Sequence, residues 1–432
     1  MKRILLLLFC VSISSVIALK AQDTSKVLTD GQKAYILSKF CTEVKYNYVF
    51  YNDLKFDWDS LCLATLPKLL ATKSKEEYAR ELQRLSTQLQ DGHTYIYEDN
   101  SGNSLDWIRP FPIKTKRIDN RVFVTSVLSS DFQRQGVETG SEIIKIDGLD
   151  VMEYVNRHKR SFVSSSTPQW LDYSPYAGFE LTKEKGSKVS KILLKNRDGR
   201  TFTIESHRNI NWDIVNNTFD YKTLNGNVGL LKINSFMGNS FKKDFDVLYQ
   251  SIKKTDALII DLRDNMGGNS GNADYIIRHL SSTPVKMGNW SSRMYIAAHG
   301  SWGYPQEWYM ETPDDLVPVN EENVYTKPVV LLVNAVTFSS AENFCVAFRS
   351  TKKGKIIGTP TGGSTGNPIH IELGYGINAL ICTKNEWDAD GNRFIGIGIK
   401  PDIEVKEKID MFIKGKDVVI EEALKQIRGD RK

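Results

Sequence analysis

Over residues 30–90 apolar side chains recur at three- and four-residue spacing, the signature of helices with one buried face. "DGQKAYILSKFCTEVKYNYVF" and "SKEEYARELQRLSTQLQ" both carry it. In the second, Ser74 followed by Glu77 has capping-box spacing, and Gly92 after the final turn reads as the helix stop. From about 106 to 210 the pattern shortens and predicts strands over "VFVTSVL", "SEIIKIDG", "SKILLKN" and "TFTIES". Around the second of these, "GVETGSEIIKIDGLDVMEYVN" joins a Gly-bounded turn to a strand, another turn and a short helix. A linker at "HRNINWD" closes the unit.

From 211 onward strands and helices alternate. "VGLLKINSF" precedes a helix through "KKDFDVLYQSIKK", and "ALIIDLRDN" leads through a Gly-rich turn to the helix "NADYIIRHL". "PVVLLVNA" runs into the helix "AENFCVAFRS", followed by "KIIGTPTGG". The runs "ALIIDL" and "VVLLV" lack alternation, as strands buried on both faces of a largely parallel α/β sheet do. No repeat of solenoid period is present.

The chain has 432 residues, 41% hydrophobic and 25% charged, too many for one ordinary core. The segment "MKRILLLLFCVSISSVIALKAQ" has the basic start, apolar run and small residue (Ala21) of a secretory signal peptide, and its apolar part is short for a membrane span. An exported protein, periplasmic or extracellular, is therefore expected. Removing residues 1–21 takes away Lys2, Arg3 and Lys20 and no acid, so the net charge falls from +5 to +2. Such a balance gives no electrostatic case for nucleic acid or an anionic membrane. Cys345 and Cys382 are expected as buried thiols, whereas a Cys41–Cys62 bridge between neighbouring helices stays open.

Candidate chemistry centres on "NAVTFSSAENF", where a buried strand ends, the chain turns and a helix begins. A serine there stands at the carboxyl end of a sheet strand, facing the unpaired N–H groups of a helix start. Ser339 or Ser340 could equally cap that helix, Ser being a leading N-cap residue. The turn "DNMGGNSGN" allows close approach by a ligand but lacks the Lys-Ser/Thr of a phosphate loop. Of the six histidines, His93 in "DGHTYIY" lies at a turn between a helix stop and an aromatic strand, and His370 lies on a strand.

Together these stretches resemble the S41 family of serine peptidases, the C-terminal processing and tricorn-core group. "ALIIDLRDNMGG" is similar to the family's D-L-R-x-N-x-G-G strand end, and "TFSSAE" to its nucleophile turn. "GTPTGG", "GIGIKPDIEV" and "GVETGSEIIKIDGLDV", the last like half of a PDZ domain, complete a resemblance covering nearly the whole mature chain. It implies an α/β core of the ClpP/crotonase-like spiral type over 211–432, a PDZ-like domain over 106–210 and a helical segment over 22–105. It implies peptide or protein substrates and no cofactor or metal; oligomeric state is left open. The nucleophile falls on Ser339, with oxyanion donors at the N–H of Ser340 and of Gly267 or Gly268. The processing branch takes its base from a Lys in G-x-P-T-x-G-K-G, but here Ser364 stands at that place. The tricorn-like branch uses a His in a D-G-H-T turn, which makes His93 the candidate base, active above about pH 6.5. Ile395 replaces the acid of the tricorn-like W-E-G-x-G-V-x-P-D stretch, which leaves Ser364, Glu372, Asp91 or Asp388 as orienting groups. The PDZ-like unit departs too: "WIRPFPIKTKRIDNRVFV" has no G-L-G-F-like loop. The alternative is a non-catalytic peptide- or apolar-ligand-binding protein on the same fold. An acyl-coenzyme A enzyme is disfavoured by the export signal.

Overall fold

Helix starts in the N-terminal segment follow from side chains that satisfy the first free N–H groups. In a computed structural model describing residues 27–98, 111–183, 190–205, 213–214 and 217–429, helix Asp30–Asn47 opens on a Thr29/Gln32 capping box. Asp57 caps helix Trp58–Leu70, and Ser74 caps helix Lys75–Ser86. Glu77 reaches back to the Lys73 N–H, one residue before the capping Ser. The stop is not Gly92 but Gln90, in the left-handed region at φ 50°. Gly92 is required for space: a Cβ there would lie 2.7 Å from the Phe338 ring and 3.2 Å from Ser364 Oγ. The leader segment, residues 99–110 and most of the "HRNINWD" linker lie outside the described residues.

This helical segment is not a separate body. Strand Tyr95–Glu98 pairs antiparallel with Ile377–Ile381, Tyr95 opposite Leu380, and the latter pairs with Ile369–Gly374. Ile36, Phe40, Val44, Tyr78 and Leu82 of the helices share one core with Leu373, Ile377, Ala379 and Ile381. Cys41 and Cys62 form a disulfide between the first two helices, while Cys345 and Cys382 are buried thiols.

The middle unit is an antiparallel sheet with strands Ile113–Ile118, Arg121–Val127, Glu142–Ile146, Lys191–Lys195 and Thr201–Glu205 in that order. Helix Val151–His158 closes its core, which is built from Ile113, Val122, Val124, Ile143 and Ile192.

The remaining sheet orders strands Ile403–Glu404, Ile356–Gly358, Val329–Val333, Ala257–Asp261, Val228–Ile233 and Phe219–Leu224. All pairs are parallel except that of the edge strand Phe219–Leu224. Every residue of Ala257–Asp261 and Val329–Val333 is buried, because both faces are covered. Helices Phe241–Ile252, Ser270–Ile277 and Ser340–Thr351 pack on one face and helix Val418–Gly429 on the other. Arg263, at the end of the central strand, is buried between Asp261 and Asp417, and Asp417 also caps the last helix. A hairpin of Trp290–Met294 and Glu307–Glu311 leaves this body, with Trp290–Ser291 paired to Asn385–Glu386; the hydrophobic pattern did not announce it.

The bridge closes a loop of sequence separation 21. Replacing Cys41 and Cys62 by Ser is expected to cost about 3 kcal/mol from loop-closure entropy. Urea unfolding of the variant, and of the wild type with reductant, should agree on that loss; no difference from the oxidised wild type would count against it.

Candidate active site

Two strand ends meet here. After Ala257–Asp261 the chain enters the Gly-rich turn, and after Val329–Val333 it enters the turn that carries Ser339. Asn265 links them: its carbonyl accepts from the Phe338 N–H, and its side chain donates to Ile233 O and accepts from the Gly267 N–H at 2.8 Å. Asn334 accepts from the Asp264 N–H and donates to its carboxylate.

Ser339 occupies the N-cap position of helix Ser340–Thr351 but makes no capping bond. Its backbone sits at φ 56°, ψ −128°, a strained conformation for a residue with a Cβ, costing about 1–3 kcal/mol. That twist turns the hydroxyl away from the helix and toward His93, whose Nε2 lies 3.0 Å from Ser339 Oγ. His93 Nδ1 lies 2.8 Å from Ser364 Oγ on the other side. The imidazole stacks on Phe338 at 4.7 Å and 8°, and Phe338 stacks on Trp170 at 4.0 Å.

Ser340 has a different position. Its hydroxyl donates to the Gly268 carbonyl at 2.7 Å and lies 3.1 Å from Ser270 Oγ, tying the two turns together. Its own N–H and that of Gly268 donate to no other group among the described residues. The Gly267 N–H, by contrast, is committed to Asn265, so Gly267 does not join Gly268 as a free donor. Gly267 instead supplies room: a Cβ there would lie 2.7 Å from Ser339 Cβ and 2.9 Å from Ser340 N.

The other candidate orienting groups separate. Asp91 is buried beneath the His93 turn, where it accepts from Thr94 Oγ1 at 2.5 Å and from Ser166 Oγ at 3.4 Å. Burial raises its pKa, and none of its bonds reaches the His93 ring. Glu372 is exposed on its strand and meets Lys39 only through its carbonyl. Asp388 holds its own turn through Asp390 and Asn392. His370 packs at a tilt against Tyr97, and Ile395 is in the apolar core.

One residue beside the site, matched in the "TFSSAE" turn but given no role there, is Glu342. It is fully buried on the first turn of helix Ser340–Thr351 and accepts from Thr361 Oγ1 at 2.5 Å, Gly363 N at 2.8 Å and Ser364 N at 2.8 Å. Burial pushes its carboxyl up to about 8, against these donors, which pull it down. The signal lay in "SAENFCVAF": an acid inside a wholly apolar helix face must find donors. Thr361 Oγ1 further accepts from the Ile399 N–H, and the middle unit supports the same loop through Thr167 Oγ1 to Gly362 O at 2.7 Å.

Residues 227–405 match the family model for peptidase family S41. The carboxy-terminal processing protease CtpA of Bacillus subtilis is 23% identical over 298 residues, 66% of this chain and 53% of that protein. The chain is thus similar to peptidase family S41 over 227–405, less than half of its length. Putative tricorn protease homolog 2 of Streptomyces coelicolor is 22% identical over 385 residues, 85% of this chain and 30% of that one. The chain spans about half or less of the length of the curated relatives it matches. Its mixed α/β fold is shared with mature CPAF complexed with lactacystin, at TM-score 0.65 and 15% identity over 89% of this chain and 95% of that one. It is also shared with the photosystem II D1 C-terminal processing protease, at TM-score 0.51 and 16% identity over 87% and 93%. Among the described residues no helix is long and apolar enough to cross a membrane, and no group of three His, Cys, Asp or Glu side chains gathers to hold a metal.

Burial lowers the His93 pKa from 6.5 to about 4, so the pH 6.5 threshold expected for an exposed imidazole does not apply. The unfolded chain takes up this proton first, so folding loses stability as pH falls from 6.5 toward 4. NMR of histidine-labelled protein is expected to show His93 neutral until about pH 4. An imidazole charging near 6.5 would contradict this.

Proposed function

We propose that this chain is an exported serine endo- or exopeptidase in which Ser339 attacks the peptide carbonyl and His93 is the general base. The observation carrying the reading is the strained Ser339, released from capping and 3.0 Å from a buried imidazole. With Nδ1–H donating to Ser364 Oγ, the Nε2 lone pair faces the Ser339 hydroxyl and takes its proton. The Ser340 and Gly268 N–H groups, near a helix N-terminus, receive the oxyanion. His93 then returns the proton to the leaving amine, and water activated by the same ring hydrolyses the acyl-enzyme. Ser364, at the place of the processing-branch Lys, orients the base and does not replace it. Glu342 fixes Ser364 through the backbone of the loop. Export is supported by the leader-like residues 1–21 and by the Cys41–Cys62 bridge, since disulfides persist in oxidising compartments. We read the middle unit as PDZ-like, on its short antiparallel strands and single helix, and the 211–432 core as the ClpP/crotonase-like spiral.

Ser339→Ala and His93→Ala are each expected to abolish hydrolysis of a fluorogenic peptide library with the fold intact by circular dichroism. A fluorophosphonate adduct should map by mass spectrometry to Ser339; an adduct on Ser340 would make Ser340 the nucleophile, and no adduct together with no hydrolysis would leave the ligand-binding alternative. Ser364→Ala, removing one neutral hydrogen bond, should lower kcat by roughly tenfold with KM little changed. The acid limb of kcat/KM is expected near pH 4.

A further inference from the structure

Phe338, directly before Ser339, belongs to none of the larger cores. It forms a small apolar group with Val336 of its own turn and with Trp170 and Ala177 of the middle unit. Two glycines clamp one edge of its ring. A Cβ on Gly92 would lie 2.7 Å from Phe338 Cζ, and one on Gly362 would lie 2.6 Å from Cδ2. The imidazole of His93 stacks on the ring at 4.7 Å and 8°, and the Trp170 indole at 4.0 Å and 24°. Two rings so near and so close to parallel cannot share a face, so they sandwich Phe338. The indole is fixed in turn, its N–H donating to Ser164 O at 3.1 Å.

The imidazole has no ionic partner to hold a charge. Among the described residues its nitrogens meet two hydroxyls, those of Ser364 and Ser339. Titratable groups on the elements packed around it are Asp91 on its own turn, Glu342 on the nucleophile helix, and Cys382 and Lys384 after strand Ile377–Ile381. Asp91 accepts from Thr94 and Ser166, and Glu342 from Thr361, Gly363 and Ser364. Cys382 faces the carbonyls of Thr365 and Gly366, and Lys384 pairs with Glu386. What does face the imidazole is an aromatic surface.

An aromatic ring is negative on its faces and attracts a cation within about 6 Å of its centre, more strongly where water is excluded. For the neutral imidazole the contact with Phe338 is ordinary stacking. When Ser339 Oγ bonds the substrate carbonyl carbon, its proton passes to His93 Nε2 and the buried ring becomes a cation. The same contact then strengthens, and only contacts stronger in the transition state accelerate the chemistry. We propose that the face of Phe338, backed by Trp170, is the counter-group of this imidazolium, in place of a carboxylate. This rests on the peptidase reading above, and Phe338 acts through His93.

Phe338→Leu keeps apolar bulk and removes the ring face. It should move the acid limb of kcat/KM down by about one pH unit and lower kcat roughly three- to tenfold, with KM little changed. A difluorinated phenylalanine at position 338, both fluorines on one edge, keeps the shape and leaves the edge that meets the glycines unaltered. Its weaker face should move both readings the same way, kcat by about twofold. Direction separates this from packing alone: a loosened ring admits water to His93 and moves the limb up toward about 6.5. A limb that stays or rises in the difluorinated protein, or rises in Phe338→Leu, would overturn the proposal. Titration of His93 by NMR reads the same shift without any substrate. Failure of the peptidase reading looks different: no peptide is cut and Ser339 takes no label.

Discussion

The position of one imidazole governs the rest of the site. His93 and Ser339 are 246 residues apart, and the ring reaches the hydroxyl only because the N-terminal segment is paired into the same body. The pairing of Tyr95–Glu98 with Ile377–Ile381 fixes the chain two residues beyond His93. Phe338 and Trp170 fix the plane of the ring, and Ser364 fixes its rotation. Each hold comes from a different part of the chain, so the middle unit and the N-terminal helices are structural parts of the site.

Strain at Ser339 is sustained by the same network. A residue at positive φ with a Cβ is held only where its surroundings over-determine it. Here the Ser339 N–H donates to Ser364 O, the Phe338 N–H to Asn265 O and the Gly362 N–H to Thr337 O. At roughly 1 kcal/mol each, these bonds are of the size needed to offset the twist. The twist also leaves the Ser340 N–H free at the helix start.

Much of this was legible in the sequence, for identifiable reasons. The unalternating runs of Ala257–Asp261 and Val329–Val333 announced strands buried on both sides, and their ends announced the two turns. The approach of His93 to Ser339 followed from matched motifs, which spacing alone cannot provide. The Gly267 assignment did not survive, because whether a glycine N–H is free depends on Asn265, and no pattern of glycines reveals that. Gly92 was taken as a stop because Gly commonly ends helices, whereas here close packing on Phe338 requires it. The hairpin at Trp290–Met294 and Glu307–Glu311 was missed because its second strand is largely exposed and lacks a buried face.

The missing acid has a physical explanation. Ile395 belongs to the apolar core, and among the described residues no carboxylate hydrogen-bonds His93 Nδ1; a serine hydroxyl does. The buried carboxylate that holds the loop behind it, Glu342 on the helix, spends its acceptors on Thr361, Gly363 and Ser364, so it acts on His93 through geometry and not through charge. Among the described residues, an imidazolium formed in this burial therefore has no ionic partner in contact, and burial lowers the His93 pKa in the ground state. A neutral hydrogen bond orients the ring but stabilises its charged form less than a carboxylate would. On the proposed mechanism this keeps the base unprotonated over a wide pH range, at the cost of a weaker base. On that proposal, oxyanion donors at Ser340 and Gly268 must supply the larger share of charge stabilisation.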